Sequence, residues 1–165
     1  MKPIFIFLSI VSLVLSACSS DEEAANFTSE ITADGMAFVP TKAKVTNGTA
    51  NFEGEAALVF TLEKGTVNTA SYEAIVFSIN YPLTSSSAPS GTYDFGIGVI
   101  GEVLFAQGSY VKANNYYSLA GYTVKVTAQG NGNYKLEFQD IQAVNFINQN
   151  VIIVSGYFEG KVSEQ

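Results

Sequence analysis

The chain has no histidine and no tryptophan, and its single cysteine is Cys18. All 8 of its basic residues are lysine. Each absence removes a class of chemistry. Without histidine there is no imidazole acid or base, no His-dependent triad, and the commonest zinc ligand is missing. A lone cysteine permits no disulfide within the chain and supplies no thiolate metal cluster. Without tryptophan the best sugar-stacking platform is gone, although 9 Tyr and 12 Phe remain. Positive charge is scarce, and the formal net charge is −7. That denies the basic face that nucleic-acid binding requires, and an acidic surface is not drawn to anionic membranes. Asp34, Asp94 and Asp140 are scattered and form no calcium loop. Gly96-Ile97-Gly98 lacks the third glycine and the strand-to-helix setting of a dinucleotide loop. The expectation is a chain with no catalytic site, no metal, no cofactor and no nucleic-acid partner.

What is present begins at the N-terminus. Lys2 precedes an apolar run from Ile4 to Leu15, interrupted by Ser9 and Ser12 alone. As a helix this run spans about 18 Å at ~1.5 Å per residue, against a bilayer core about 30 Å thick. It is too short for a comfortable permanent span, and charge, short apolar stretch and small residues in that order are the pattern of a signal peptide. Leu15-Ser16-Ala17-Cys18 resembles the lipobox of bacterial lipoproteins. The resemblance implies cleavage before Cys18, a diacylglyceryl group on its thiol, and acylation of the freed amine. Small residues at positions 16 and 17 let the peptidase seat the scissile bond. Each buried methylene contributes about 0.8 kcal/mol, so two or more chains anchor stably where one does not. Ser19-Ser20-Asp21-Glu22-Glu23 resembles the acidic export signal that follows the lipidated cysteine in surface lipoproteins of the Bacteroidota type; as sequence alone it also reads as a solvated tether.

Three segments follow: a lipoprotein signal peptide at 1–17, a lipidated cysteine and acidic tether at 18–27, and one domain at 28–165. Removing Lys2 with the leader leaves seven lysines against 15 Asp and Glu, a net charge near −8. The remaining length is enough for one hydrophobic core without disulfide staples.

That domain reads as strands. Asp34-Gly35 is a hairpin dipeptide between Glu30–Ala33 and Met36–Thr46, with Pro40 at an edge or bulge. Ala56–Glu63 and Tyr72–Tyr81 alternate with period two, placing Leu58, Phe60 and Leu62, then Ile75, Phe77 and Ile79, on single faces. The Ser-rich stretch 82–90 is a loop. Gly91–Ile100 and Glu102–Lys112 read as two strands punctuated by glycine. Tyr117–Ala128 carries Tyr122, Val124 and Val126 on one face, and Tyr134–Val144 carries Tyr134, Leu136 and Phe138. Val151–Val154 is a continuous apolar run that suggests burial on both faces of the last strand. No stretch after Cys18 has helical period. The expected fold is all-β, an antiparallel meander of about 8–10 strands forming a sandwich or a lipocalin-like barrel. The expected core comprises Leu58, Phe60, Ile75, Phe77, Val124, Val126, Leu136, Phe138, Ile153 and Phe158.

Gly91-Thr92-Tyr93 opening a strand, Gly108-Ser109-Tyr110, and the strings GYTVKVT, YKLEFQDIQ and VSGYFEGKV are similar to small Bacteroidota lipoproteins of uncharacterised domain families. The similarity covers roughly residues 28 to 162. It implies a fold type and an envelope location, with no reaction attached.

Two groups of side chains are candidate sites. Tyr110, Tyr116, Tyr117 and Tyr122 offer flat apolar faces with hydroxyls, either as a ligand platform or as ordinary cross-strand packing. Glu53 and Glu55, two apart, would share a face if both lay on one strand, where paired carboxylates suit glycoside hydrolysis but more commonly are simply solvated. The leading expectation is a lipid-anchored, surface-exposed outer-membrane protein that is not an enzyme. It would bind a small apolar molecule inside a barrel, or an envelope protein or glycan at its loops. The alternatives are a structural envelope protein with no small ligand, and a hydrolase working with carboxylates alone.

Overall fold

A computed structural model describes residues 26–96 and 104–164 of the chain, and no residue among them is helical. The fold is all-β. Thirteen strands join one sheet: β1 (Phe27–Ser29), β2 (Ile31–Ala33), β3 (Met36–Phe38), β4 (Lys42–Asn47), β5 (Glu55–Lys64), β6 (Glu73–Pro82), β7 (Gly91–Phe95), β8 (Phe105–Lys112), β9 (Asn115–Ala120), β10 (Thr123–Gly130), β11 (Asn133–Val144), β12 (Val151–Lys161) and β13 (Ser163–Glu164).

The strands outnumber the expected eight to ten because two runs break and two short strands, β1 and β13, add at the margins, while a third run is shorter than expected. Met36–Thr46 becomes β3 and β4, with Pro40 between them. Proline cannot donate to a ladder, and here the chain passes from β3, at one edge of the sheet, to β4, near the other. Tyr117–Ala128 becomes β9 and β10, separated by Gly121 and Tyr122, both with positive φ. The run expected from Gly91 stops as a strand at Phe95, and residues 97–103 lie outside the described ones.

The order is not a pure meander. β8 lies between β6 and β7, and β7 runs parallel to it. Likewise β12 continues through Val162 into β13, which runs parallel to β4 and links the two margins of the sheet. β11 carries two different neighbours on one side, β10 along its first half and β9 along its second. The break at Gly121-Tyr122 is where one gives way to the other.

The sheet folds over on itself and its inner face is filled. Phe60 on β5 meets Tyr134 on β11 at 5.1 Å between ring centroids. Phe77 on β6 stacks on Phe60 at 5.2 Å and meets Phe138 at 5.8 Å and Phe95 at 6.0 Å, edge-on. Rings from opposite walls therefore touch, and at this level there is no lumen. Of the expected core, Phe60, Ile75, Phe77, Val124, Val126, Leu136, Phe138 and Phe158 are buried, and Leu58 packs against them half-buried. Ile153 is the exception: it is 39% exposed, and Val151 is 50% exposed. The run Val151–Val154 is buried on one face alone, through Val154, because among the described residues nothing covers the outer face of β12 here.

The register defines two ends. The chain enters at Asn26, and β1 pairs with the last part of β12, Phe27 opposite Gly160. Loops 48–54 and 83–90 and the turn 131–132 lie at this entry end. Loops 65–72, 113–114 and 145–150 lie at the far end. β12 alone separates the ends by about 33 Å at ~3.3 Å per residue. The entering segment lies close against β12 at two glycines. A Cβ on Gly156 would collide with the Glu30 carbonyl, and one on Gly160 with the backbone of Phe27. Gly156 also has φ +111°, a conformation that L side chains rarely adopt.

Candidate functional site

The residues of the expected anchor, Leu15, Ser16, Ala17 and Cys18, and of the export signal, Ser19, Ser20, Asp21, Glu22 and Glu23, lie outside the described residues. The first described residue, Asn26, lies at the entry end.

The four candidate tyrosines do not form one platform. Tyr110 on β8 and Tyr117 on β9 are cross-strand partners on the inner face, ring centroids 5.8 Å apart, and both are buried. Tyr116 points to the outer face and is 69% exposed. Tyr122 was expected inward, in phase with Val124. It sits instead in the positive-φ break between β9 and β10 and is exposed.

Tyr110 belongs to a charged network at the far mouth of the folded sheet. Lys64, Glu73 and Lys112 are neighbours across β5, β6 and β8. Both ammonium groups stand 3.2 Å from the Glu73 carboxylate, and the Tyr110 hydroxyl donates to it at 3.4 Å. Burial pushes the Glu73 carboxyl up, but the hydrogen bonds and charges of Lys112 and Lys64 outweigh that and hold it below its ordinary value. Burial, together with Glu73, pushes the Tyr110 phenol well above the usual tyrosine range. On the outer side Tyr72 donates to Glu63 at 3.0 Å. A carboxylate clamped between two ammonium groups is a strut; its lone pairs are committed, which is poor preparation for a general base.

Glu53 and Glu55 do not share a strand. Gly54, at φ +84°, turns the chain between them. Glu53 is exposed in the loop, while Glu55 opens β5 opposite Pro82. Glu55 was expected to be solvated, yet it is half-buried and its Oε2 is shut off from solvent without a hydrogen-bond partner. Asp34 lies in the β2–β3 turn, Asp94 on β7, and Asp140 in β11, where it accepts a hydrogen bond from Ser155. Among the described residues no three His, Cys, Asp or Glu side chains gather as a metal site.

The feature that the sequence reading missed is the outer face of β9, β11 and β12. Its entry half is charged: Lys125 pairs with Glu137 at 3.1 Å and Lys135 with Glu159 at 3.7 Å. Its far half is not. Ser118, Val144 and Val151 form one cross-strand row, and Ala120, Gln142 and Ile153 the next. Tyr116 lies beside them on β9. The loop joining β11 to β12 adds Phe146, 67% exposed, and Ile147, 96% exposed. That loop is internally wired. Asn145 is buried, and its Oδ1 accepts from the backbone N–H of Ile147 at 2.9 Å and of Asn148 at 3.3 Å. The Asn145 N–H donates to the Asn150 carbonyl at 2.9 Å. The two apolar side chains are thus held outward by a satisfied backbone. A signal for this face existed: no Asp, Glu or Lys occurs from Ile141 to Phe158, nor from Ala113 to Thr123.

Comparison of the chain with protein families, with curated proteins and with solved structures found no match.

Proposed function

We propose that the chain is an outer-membrane lipoprotein, displayed on the cell surface, whose single all-β domain is a non-enzymatic binding or accessory module that works through its outer surface. The observation that carries this reading is a separation. The chain emerges from the domain at the entry end, eight residues after Cys18, and the uncharged face with its apolar loop lies at the far end. A lipid on Cys18 would hold the first end near a membrane and present the second away from it. Rings meeting across the interior favour a surface contact over a small molecule held inside. The hydrolase alternative draws no support from Glu53 and Glu55, which a turn separates.

Two substitutions in intact cells test this. Cys18→Ala should abolish incorporation of labelled palmitate. Replacing Asp21, Glu22 and Glu23 together with Ala should hide the domain from added protease while leaving the palmitate label in place. Label retained in Cys18→Ala would end the lipoprotein reading; unchanged protease access in the triple variant would reduce the acidic stretch to a tether.

A further inference from the structure

We propose that loop 48–54, folded over the outer face of β5 and β6 at the entry end, encloses a calcium site built on the Glu55 carboxylate and the Asn80 side-chain carbonyl. The loop is not a free arc. It leaves β4 with the Gly48 N–H donating to the Ala57 carbonyl at 2.9 Å. It then crosses to β6, where the Asn51 N–H donates to Asn80 Oδ1 at 3.4 Å. Beyond that it sets Phe52 against Phe105 of β8, ring centroids 6.4 Å apart. Phe60 and Phe77 meet rings of the interior, so by alternation Glu55, Ala57 and Asn80 face outward. Outward residues of a sheet are ordinarily wet, yet here Ala57 is 5% exposed and Asn80 2%. The loop has closed over them.

The chemistry beneath the loop is one-sided. Glu55 Oε2 is closed off from solvent and accepts no hydrogen bond, a costly state for a carboxylate oxygen. Asn80 Oδ1 is a second acceptor, with one long bond from Asn51. Ala57 and Asn80 are register partners, and Glu55, opposite Pro82, is the diagonal neighbour of Asn80. Such neighbours stand about 7–8 Å apart, a span that one ion held between two side-chain oxygens bridges. No lysine occurs from Val45 to Glu63 or from Gly65 to Val111. Neither the loop nor the strands beneath it at this end therefore offers an ammonium group. Glu53 in the loop and Asp94, the neighbour of Phe105 on β7, add negative charge around it. Two adjacent oxygen acceptors, one of them anionic, suit a hard cation. Mixed carboxylate, amide and backbone oxygens from a loop suit calcium, which accepts irregular sets of six to eight, and do not suit the strict octahedron of magnesium. Loop carbonyls and water complete the set. A single carboxylate places the affinity in the weak class of extracellular modules, about 10⁻⁴–10⁻³ M.

The test is thermal unfolding of the full-length protein, extracted from its membranes in detergent and stripped of metal with a chelator. Calcium chloride at about ten times the dissociation constant should raise the melting temperature by roughly 3–6 °C and suppress protease cuts within residues 48–54. Magnesium chloride at the same concentration should do neither. Glu55→Gln keeps the shape and removes the charge. It should abolish the calcium effects while melting, without metal, no lower than the metal-free parent. Glu53→Gln, in the exposed part of the loop, should retain them. Should Glu55→Gln fail to fold, Asn80→Asp decides. The added carboxylate should lower the calcium concentration at half-effect at least about threefold, since affinity follows ligand charge. A parent that calcium does not stabilise, a calcium effect that survives in Glu55→Gln, or an unchanged half-effect in Asn80→Asp overturns the site. Equal loss in Glu53→Gln and Glu55→Gln overturns it too, because diffuse charge and not the enclosed oxygen would then hold the ion.

Discussion

Truncation of Phe77 is the sharpest probe of the fold. Its side chain is 1% exposed, and its ring touches Phe60, Phe95 and Phe138 from three strands. Phe→Ala in a core costs about 3–5 kcal/mol. Three aromatic contacts, each worth about 0.5–1.5 kcal/mol beyond area though not additively, place Phe77→Ala in the upper part of that range, about 4–5 kcal/mol. The informative comparison is Ile153→Ala. Sequence alone puts Ile153 in the same core, yet 39% of it is exposed, and its truncation should cost about 1 kcal/mol or less. Urea unfolding of the unlipidated mature chain measures both. Phe77→Ala should shift the midpoint strongly with little change in slope, and its melting temperature should fall by roughly 8–20 °C at about 2–4 °C per kcal/mol. Equal losses in the two variants, or a Phe77→Ala loss under about 1 kcal/mol, would refute the assignment of inner and outer faces.

Two further perturbations follow from the far mouth and from the entering strand. Glu73 has its pKa lowered in the folded state by Lys112 and Lys64, so its contribution is present above the ordinary carboxylate value of about 4.3 and is lost as pH falls through the lower folded value. In a urea-midpoint profile from pH 6 to pH 2, Glu73→Gln should therefore be less stable than the parent near neutrality, with the gap closing below about pH 4.3; a gap independent of pH would show that the carboxylate charge is not what matters. Gly156→Ala should destabilise by at least about 2 kcal/mol, since strain at an unfavourable φ adds to collision with the Glu30 carbonyl, and limited proteolysis should open new cuts near residue 30. A protected N-terminal segment in that variant would contradict the packing described.

The strand content and most of the core were legible because period-two alternation over β5, β6, β10 and the first half of β11 matches burial on one face. What was not legible depended on single residues that change phase. In β11 the register slips between Phe138 and Ile141, with Asp140 at φ +50°. This bulge exchanges odd and even positions: Leu136 and Phe138 point inward before it, Ile141 and Ala143 after it. Bulges re-aim a strand without altering its composition, so counting by twos fails beyond one. Tyr122 was misplaced for a similar reason, since Gly121 and Tyr122 turn the chain between two strands that read as one. Val151–Val154 misled because an apolar run has the same composition whether it has one covered face or two. The outer face could be assigned only once β12 had neighbours on both sides and nothing above it.

The course of β1 along β12 has a mechanical consequence. β1 lies antiparallel to the last part of β12, and the ladder continues to Asn26, whose carbonyl accepts from the Lys161 N–H at 3.3 Å. A pull on Asn26 along the strand direction acts along this ladder. It loads the Phe27–Gly160, Thr28–Glu159 and Ser29–Phe158 pairs together in shear, where a perpendicular pull would peel them one after another. The close seating of this segment on Gly156 and Gly160 resists sliding in the same direction. A domain held by its N-terminal segment thus meets drag with its stiffest geometry, and the first element to give way under load should be this three-residue strand, ahead of the folded sheet behind it.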